Sequence, residues 1–377
     1  MISSIVKTVK KGIKAVQAPG KALSLASQYP VLDRLSRSYA CPGRPAGLSS
    51  DQLHDACDRA FGASPIEVSH QHVSGWKETG AYRLFVRTED GARHTLVFKN
   101  DVFNTTVNPA LDGFPMPPGP PEYGVYRETD GPLQKYLPRV FLCEEAIPGR
   151  HYRYVLEDLR YDYRRTRGPK DILRIIEELP AFHRALRAQW PTANTNEFLL
   201  KYRASLDALL TYYRQGLSTY AETIDDPALT EVLEQWSDIE RTYLHDRFQN
   251  PRALNPIHGD PNVTNVHRAK KSNAIKFVDW EWAGAHLMHA DLASVLKGTD
   301  PDLEKRGVSI FAERNEALSA DEHWALYHYC QMERGLLDAS YVASIELNSS
   351  HQAQFDLRAY VHGASRRVLR SLREVSK

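Results

Sequence analysis

Ile257-His258-Gly259-Asp260-Pro261-Asn262-Val263-Thr264-Asn265-Val266 is the most informative stretch of the chain, and Phe277-Val278-Asp279-Trp280-Glu281 begins shortly after it. Two short apolar runs, Asn265-Val266 with its neighbours and Ala274 to Val278, predict a small hairpin that holds Asn265 and Asp279 at a shared end. Taken singly, Asp260 and Asn262 are ordinary turn residues and Asp279 merely ends a strand. Together they form a set that phosphoryl transfer needs. One carboxylate receives or orients the proton of an acceptor hydroxyl. An amide oxygen and a second carboxylate hold magnesium, a hard cation that prefers oxygen ligands, against the phosphates. Asp260 suits the first role, and Asn265 and Asp279 suit the second.

His258-Gly259-Asp260 with Asn265, followed by Asp279-Trp280-Glu281, resembles the H-G-D-x-x-x-x-N and D-x-[DE] signature of the aminoglycoside phosphotransferase-like and choline kinase-like enzymes. These share the wider protein-kinase-like fold. Asp291-Leu292-Ala293 resembles the D-L-A that follows the motif in that family, where the Asp helps to fix the catalytic loop. The resemblance implies an α+β protein with a small β-rich N-lobe and a larger, mainly helical C-lobe. It implies Asp260 as catalytic base and Asn265 and Asp279 as magnesium ligands, with Glu281 as an assisting candidate. It further implies ATP or GTP as phosphoryl donor and a small hydroxylated molecule as acceptor: an antibiotic, a sugar, an amino alcohol or a sterol-like alcohol.

Upstream, Lys99 is similar to the strand lysine that pairs with the α- and β-phosphates. Glu122, in Glu122-Tyr123-Gly124-Val125-Tyr126, matches the helix glutamate expected to pair with that lysine, with Glu128 as the alternative. Tyr154-Val155-Leu156-Glu157-Asp158-Leu159 resembles the hinge, where the backbone around Glu157, Asp158 and Leu159 would meet the nucleotide base. Ser74 and Gly75 sit where a phosphate-covering loop belongs, although Ser74-Gly75-Trp76-Lys77-Glu78-Thr79-Gly80 is not G-x-G-x-x-G. His183 resembles a helix histidine that supports the catalytic loop.

The rest of the chain frames these residues. Tyr82–Val86 and Thr95–Lys99 alternate like strands about the turn Glu89-Asp90-Gly91. A helix is expected from Glu122 to about Tyr136. Beyond Gly168, Ile172–Trp190, Glu197–Tyr220 and Pro227–Phe248 carry apolar residues at helical spacing. Ser49-Ser50-Asp51 supplies N-cap chemistry for a helix ending near Phe61. The expected division is 1–50 as an N-terminal extension, 51–158 as a nucleotide-binding lobe and 159–377 as the helical lobe. Residues 1–16 have the pattern of a basic amphipathic helix, which either packs on the protein or makes a peripheral contact with an anionic membrane. The Arg-rich stretch Arg160, Arg164, Arg165 and Arg167 reads as a solvated loop, or as a site for an anionic acceptor or a membrane surface. Acids in the helical part, Glu197, Asp207, Glu222, Asp225 and Asp226, are available to a cationic acceptor and are equally what any helix surface carries.

A formal net charge of +1 over 377 residues excludes a dedicated nucleic-acid binder. Four scattered cysteines make neither a disulfide framework nor a zinc site. No apolar run approaches the roughly 20 residues that span a bilayer, and the expected compartment is the cytoplasm, with the membrane surface as a second location. A protein kinase is disfavoured by H-G-D in place of H-R-D and by Asp279-Trp280-Glu281 in place of D-F-G. A catalytically weak nucleotide-binding scaffold is the rival from another class.

Overall fold

The computed structural model describes residues 43–73, 80–102, 119–191, 196–200, 206–222, 224–245, 254–315, 317–348 and 357–376. Ser74 and Gly75, and the amphipathic segment 1–16, lie outside the described residues. The chain forms two compact units. The first comprises the described residues up to Val102 together with Arg139–Asp158, and the second comprises those within Phe103–Pro138 and Leu159–Lys377.

The first unit is an antiparallel sheet with one helix. Helix α1 (Ser50–Phe61) starts at a capping box in which Ser49 and Gln52 satisfy each other's backbone N–H groups. Strands β1 (Pro65–His72), β2 (Gly80–Thr88), β3 (Arg93–Val102), β4 (Val140–Ile147) and β5 (His151–Glu157) lie in the order β1-β2-β3-β5-β4. The β2–β3 turn is built as its sequence predicts: Asp90 Oδ1 accepts from the Ala92 N–H at 3.0 Å, and Gly91 takes a φ of 82°. Alternation then sorts the two faces of the sheet. Leu84 and Val86 on β2, Leu96 and Phe98 on β3 and Val155 on β5 pack with Leu53, Ala56 and Cys57 of α1. Lys99 occupies the opposite phase of β3, the central strand, between Ala81 and Tyr154.

The second unit is mainly helical. It contains α2 (Pro121–Glu128), a short 3₁₀ helix (Gly131–Tyr136), α3 (Gly168–Gln189), α4 (Leu206–Ala221), α5 (Pro227–Glu234), α6 (Trp236–Tyr243), α7 (His289–Val295), α8 (Pro301–Glu313), α9 (Ala320–Asn348) and α10 (Leu357–Val375). Three short strands, β6 (Tyr163–Arg165), β8 (Val266–Ala269) and β9 (Ile275–Phe277), form one small sheet, and β7 (Asn255–Ile257) pairs with β10 (Gly284–His286) in another. Among the described residues no helix is long and apolar enough to cross a membrane, and none of Cys57, Cys143 and Cys330 is in a disulfide.

Several elements differ from their sequence expectation. The helix predicted over 122–136 breaks after Glu128, where Thr129 Oγ1 caps onto the Val125 carbonyl and Gly131-Pro132 restarts the chain as a 3₁₀ turn. That turn groups with the second unit, whereas the sequence reading put residues up to 158 in the first. The cause is packing: the Tyr136 ring meets Phe182 and Phe277 at 5.2 and 6.0 Å, and its hydroxyl donates to Glu178. The helix predicted over 227–248 is two helices that meet at Gln235. The Arg-rich stretch is no loop at its centre. Arg164 lies in β6 and shares the buried carboxylate of Asp171 with Arg268 of β8. Burial opposes the charge of Asp171, but hydrogen bonds from Arg164, the Arg167 N–H and Arg268 outweigh it and hold the carboxyl at about 2.

Candidate active site

The two predicted segments form the expected hairpin, with Val266 opposite Phe277 and the Val278 N–H donating to the Asn265 carbonyl at 2.9 Å. Asn265 and Asp279 therefore flank the same end of β8–β9. Asp279 is the one non-glycine among the described residues with a positive φ, 67°. A left-handed conformation costs a non-glycine residue roughly 1–3 kcal/mol and persists only where its neighbours impose it. The neighbour here is Trp280, which is fully buried. Its indole donates to the Phe277 carbonyl at 3.2 Å, and its ring lies 4.3 Å from that of His258 and 5.8 Å from Phe182. Phe182 in turn stacks on Phe277 at 4.1 Å. This aromatic group underlies the loop 258–265 and turns the chain outward at Asp279.

The loop itself is held from behind by one carboxylate. Asp291, fully buried in the first turn of α7, accepts from the His258 N–H at 3.1 Å, from the Gly259 N–H at 2.8 Å and from His183 Nε2 at 2.9 Å. His183, also fully buried on α3, supports that carboxylate and does not itself reach Asp260 through any hydrogen bond described. Gly259 takes a φ of 85°, and a Cβ there would lie 1.9 Å from the Trp282 carbonyl oxygen. Gly259→Ala is expected to displace the loop, with the left-handed backbone alone costing about 1–3 kcal/mol; urea denaturation measures the loss.

His258 links the loop to the hairpin. Its Nδ1 accepts the Asp260 N–H at 3.2 Å, and its Nε2–H donates to the Val278 carbonyl at 3.1 Å. Both roles require the neutral ring. Burial drives the His258 pKa below its ordinary value of 6.5, although Asp291, Asp260 and Asp279 pull the other way. His289 is driven well below 6.5, by burial and by His323, onto whose Nδ1 its Nε2–H donates at 2.8 Å. The sign follows from linkage. Unfolded histidines bind more protons than these two, so stability is complete above about pH 6.5 and is lost as pH falls below it, by about 1.4 kcal/mol per pH unit for each such group. Denaturant midpoints measured from pH 8 to pH 5 are expected to fall only below that point.

Asp260 is half-buried, and both its oxygens are engaged. Oδ2 accepts from Asn262 Nδ2 at 3.0 Å and from Asn265 Nδ2 at 3.4 Å. Oδ1 accepts from Ser294 Oγ at 2.8 Å and from Arg334 Nη2 at 2.8 Å. A second Arg334 nitrogen, Nη1, donates to the Gly259 carbonyl at 2.9 Å. Asn265 Nδ2 also donates to the Asp260 carbonyl at 3.1 Å, which leaves its amide oxygen, reached by Thr264 Oγ1 at 3.2 Å, with a second lone pair for a metal. The oxygens of Asn265 and Asp279 are the hard donors that magnesium takes.

Sequence reading found Asp260, Asn265, Asp279, Asp291 and His183, and these converge. It missed Arg334 and Ser294. Ser294 carries a weak local signal, one helical turn after Asp291. Arg334, 74 residues from Asp260, carries none. The remaining candidates lie on other elements. Lys99 is half-buried in β3 of the first unit, and Glu122 is buried in the first turn of α2 in the second. Glu157 ends β5, where its backbone N–H donates to the Arg139 carbonyl at 2.9 Å and its side chain accepts from the Arg139 N–H. Asp158 pairs with Arg83 at 2.9 Å, and Leu159 is buried. Asp226 caps α5 and meets His362, which removes it from the pool of acids open to an acceptor.

By sequence the chain matches no family model and no curated protein. By structure it is similar to a thermostable mutant of an aminoglycoside phosphotransferase solved as a ternary complex with ADP and hygromycin B, at 12% identity and a TM-score of 0.53 over 86% of this chain and 99% of that one. It is similar to a choline kinase from Cryptosporidium parvum, at 11% identity and a TM-score of 0.52 over 82% and 90%. It is also similar to a Plasmodium vivax ethanolamine kinase, at 12% identity and a TM-score of 0.50 over 81% and 82%. The chain has the fold of the choline kinases and aminoglycoside phosphotransferases, as its motif 258–281 implied.

Proposed function

We propose that this chain transfers the terminal phosphoryl group of ATP or GTP to a hydroxyl of a small molecule. The observation that supports the reading is that the Asp260 carboxylate accepts from Asn265 Nδ2, while Asn265 and Asp279 flank one end of the β8–β9 hairpin. These three are the groups that the signature assigns to catalysis and metal binding. The fold supports the same reading, since solved proteins that share it include kinases of choline and ethanolamine, and one was solved with ADP.

In this mechanism Asp260 accepts a hydrogen bond from the acceptor hydroxyl on Oδ2 and takes its proton as the oxygen attacks in line. Arg334 and Ser294 hold Oδ1, so the carboxylate cannot rotate away, and the rate derives chiefly from alignment. Asn265 Oδ1 and the Asp279 carboxylate would hold magnesium, which when bound neutralises charge on the phosphates. Lys99 would contact the α- and β-phosphates with Glu122 as its partner, and Ser74 and Gly75 would cover them. The backbone from Glu157 to Leu159 would meet the base. The side chains of Glu157 and Asp158 are already paired within the sheet unit, which suits recognition through backbone groups.

The test is acceptor-dependent release of ADP across a panel of hydroxylated metabolites and antibiotics, with ATP and GTP compared. Turnover is expected with at least one member and is expected to stop with EDTA and return with magnesium. Magnesium-dependent nucleotide binding with no turnover on any member would favour the scaffold instead, and transfer to proteins alone would favour a protein kinase.

A further inference from the structure

From the side of Asp260 that meets Ser294 of α7 and Arg334 of α9, a wall of ion pairs continues to α10. Arg334 Nε donates to Asp338 Oδ1 at 3.0 Å, one turn along α9. Asp338 also pairs with Lys297, just past the end of α7, at 2.7 Å and with Arg367 of α10 at 3.1 Å. The ion pairs that join these elements thus set three cations, Lys297, Arg334 and Arg367, against two carboxylates, Asp260 and Asp338. Burial opposes the charge of Asp338, yet Arg334, Lys297 and Arg367 hold its carboxyl at about 2. The same crowding works on Lys297, whose pKa is lowered by burial and by Arg334 and Arg367, while Asp338 raises it. An ammonium that is desolvated and flanked by two guanidiniums gains from a further negative charge nearby.

Two further observations bear on what approaches this wall. The side chains of Lys297, Arg367 and Arg334 keep 20%, 17% and 13% of their surface exposed. Tyr360 of α10 meets this wall with its hydroxyl edge, where Lys297 Nζ is hydrogen-bonded to the hydroxyl and lies 4.9 Å from the ring centroid. A cationic acceptor placed beside Asp260 would meet Arg334 and Lys297 as like charges in a partly buried site, where repulsion is weakly screened.

We propose, resting on the phosphotransferase reading above, that the acceptor is a hydroxylated anion whose carboxylate or phosphate is received by Lys297, Arg334 and Arg367 while its hydroxyl meets Asp260. Matched acceptors test this. One series is gluconate, glucose 6-phosphate, glucose and glucosamine; the other is glycerate, glycerol 3-phosphate, glycerol, ethanolamine and choline. In ADP release by the full chain, at least one anion is expected to exceed its neutral and cationic counterparts at least tenfold in kcat/KM. The carboxylate and phosphate arms identify which group is preferred. Lys297→Met and Arg367→Met are expected to raise KM for that anion at least tenfold and to change the nucleotide KM less than twofold. Efficient transfer to choline, ethanolamine, glucosamine or a neutral alcohol in preference to the anions would overturn the inference and leave the kinase reading standing. A rise in nucleotide KM with the acceptor KM unmoved would also overturn it, since the cations would then serve the phosphates.

If no panel member is turned over, thermal melts with sulfate and with gluconate decide. Stabilisation that is present in the wild type and lost in Lys297→Met supports an anion site even where the kinase reading has failed. Equal response of the two proteins overturns it.

Discussion

Asp260→Asn is expected to lower kcat by about 10²–10⁴-fold, the usual range for removal of a general base. Asparagine matches the carboxylate in shape and keeps one oxygen, so it keeps the two pairs made to that oxygen and loses those made to the other. It cannot take a proton, and its amide carries no charge to meet the Arg334 guanidinium now 2.8 Å from Oδ1. Nucleotide affinity is expected to change less than threefold, because Asp260 is assigned to the acceptor and not to the phosphates. Steady-state kinetics on whichever acceptor the panel yields gives the first quantity, and calorimetric titration with ADP and magnesium gives the second. A variant retaining more than a tenth of wild-type kcat would end the assignment of Asp260 as base.

Asp291→Asn is expected to be the most destabilising conservative change at the site. The carboxylate is fully buried and receives three donors, the amides of His258 and Gly259 and the imidazole of His183. An asparagine in the same place points an NH₂ group at one or two of these N–H donors. Each donor left unsatisfied away from water costs about 1–3 kcal/mol, and breaking a buried charged arrangement typically costs about 3–5 kcal/mol. The expected loss is therefore about 3–5 kcal/mol in urea denaturation. Activity should fall with it even at temperatures where the variant is folded, since the two amides released are those that set the backbone at Asp260. A loss below about 1 kcal/mol would mean that the loop is held by the aromatic group under it and not by Asp291.

How far these groups could be read in advance depended on how the chain brings them together. Asp260, Asn265 and Asp279 lie on one loop and one hairpin, so their spacing in sequence carries their spacing in space. The strand pair Tyr82–Val86 and Thr95–Lys99 was legible for the same reason, with an Asx turn and a glycine between alternating runs. The break at Gln235 was not legible. Val232, Trp236, Ile239 and Tyr243 are buried at spacings of three and four straight across it, so apolar periodicity runs on where the helix does not. The Arg-rich stretch misled in a related way. Nothing local shows that Arg164 lies in a strand and shares Asp171 with Arg268 from another.

The amino-acid sequence by itself determined the chemistry that this protein can offer: a carboxylate on a loop, and an amide oxygen and a second carboxylate at one end of the short hairpin that follows it. Tertiary structure alone decided the surroundings of that chemistry. Ser294, Arg334, Asp338 and Arg367 sit on three helices and Lys297 just past the first of them, and at each place they look like ordinary polar positions. Only when these helices pack do Lys297, Arg334 and Arg367 meet at Asp338, and Arg334 and Ser294 at Asp260, because a contact fixed by distance in space leaves no trace in distance along the chain.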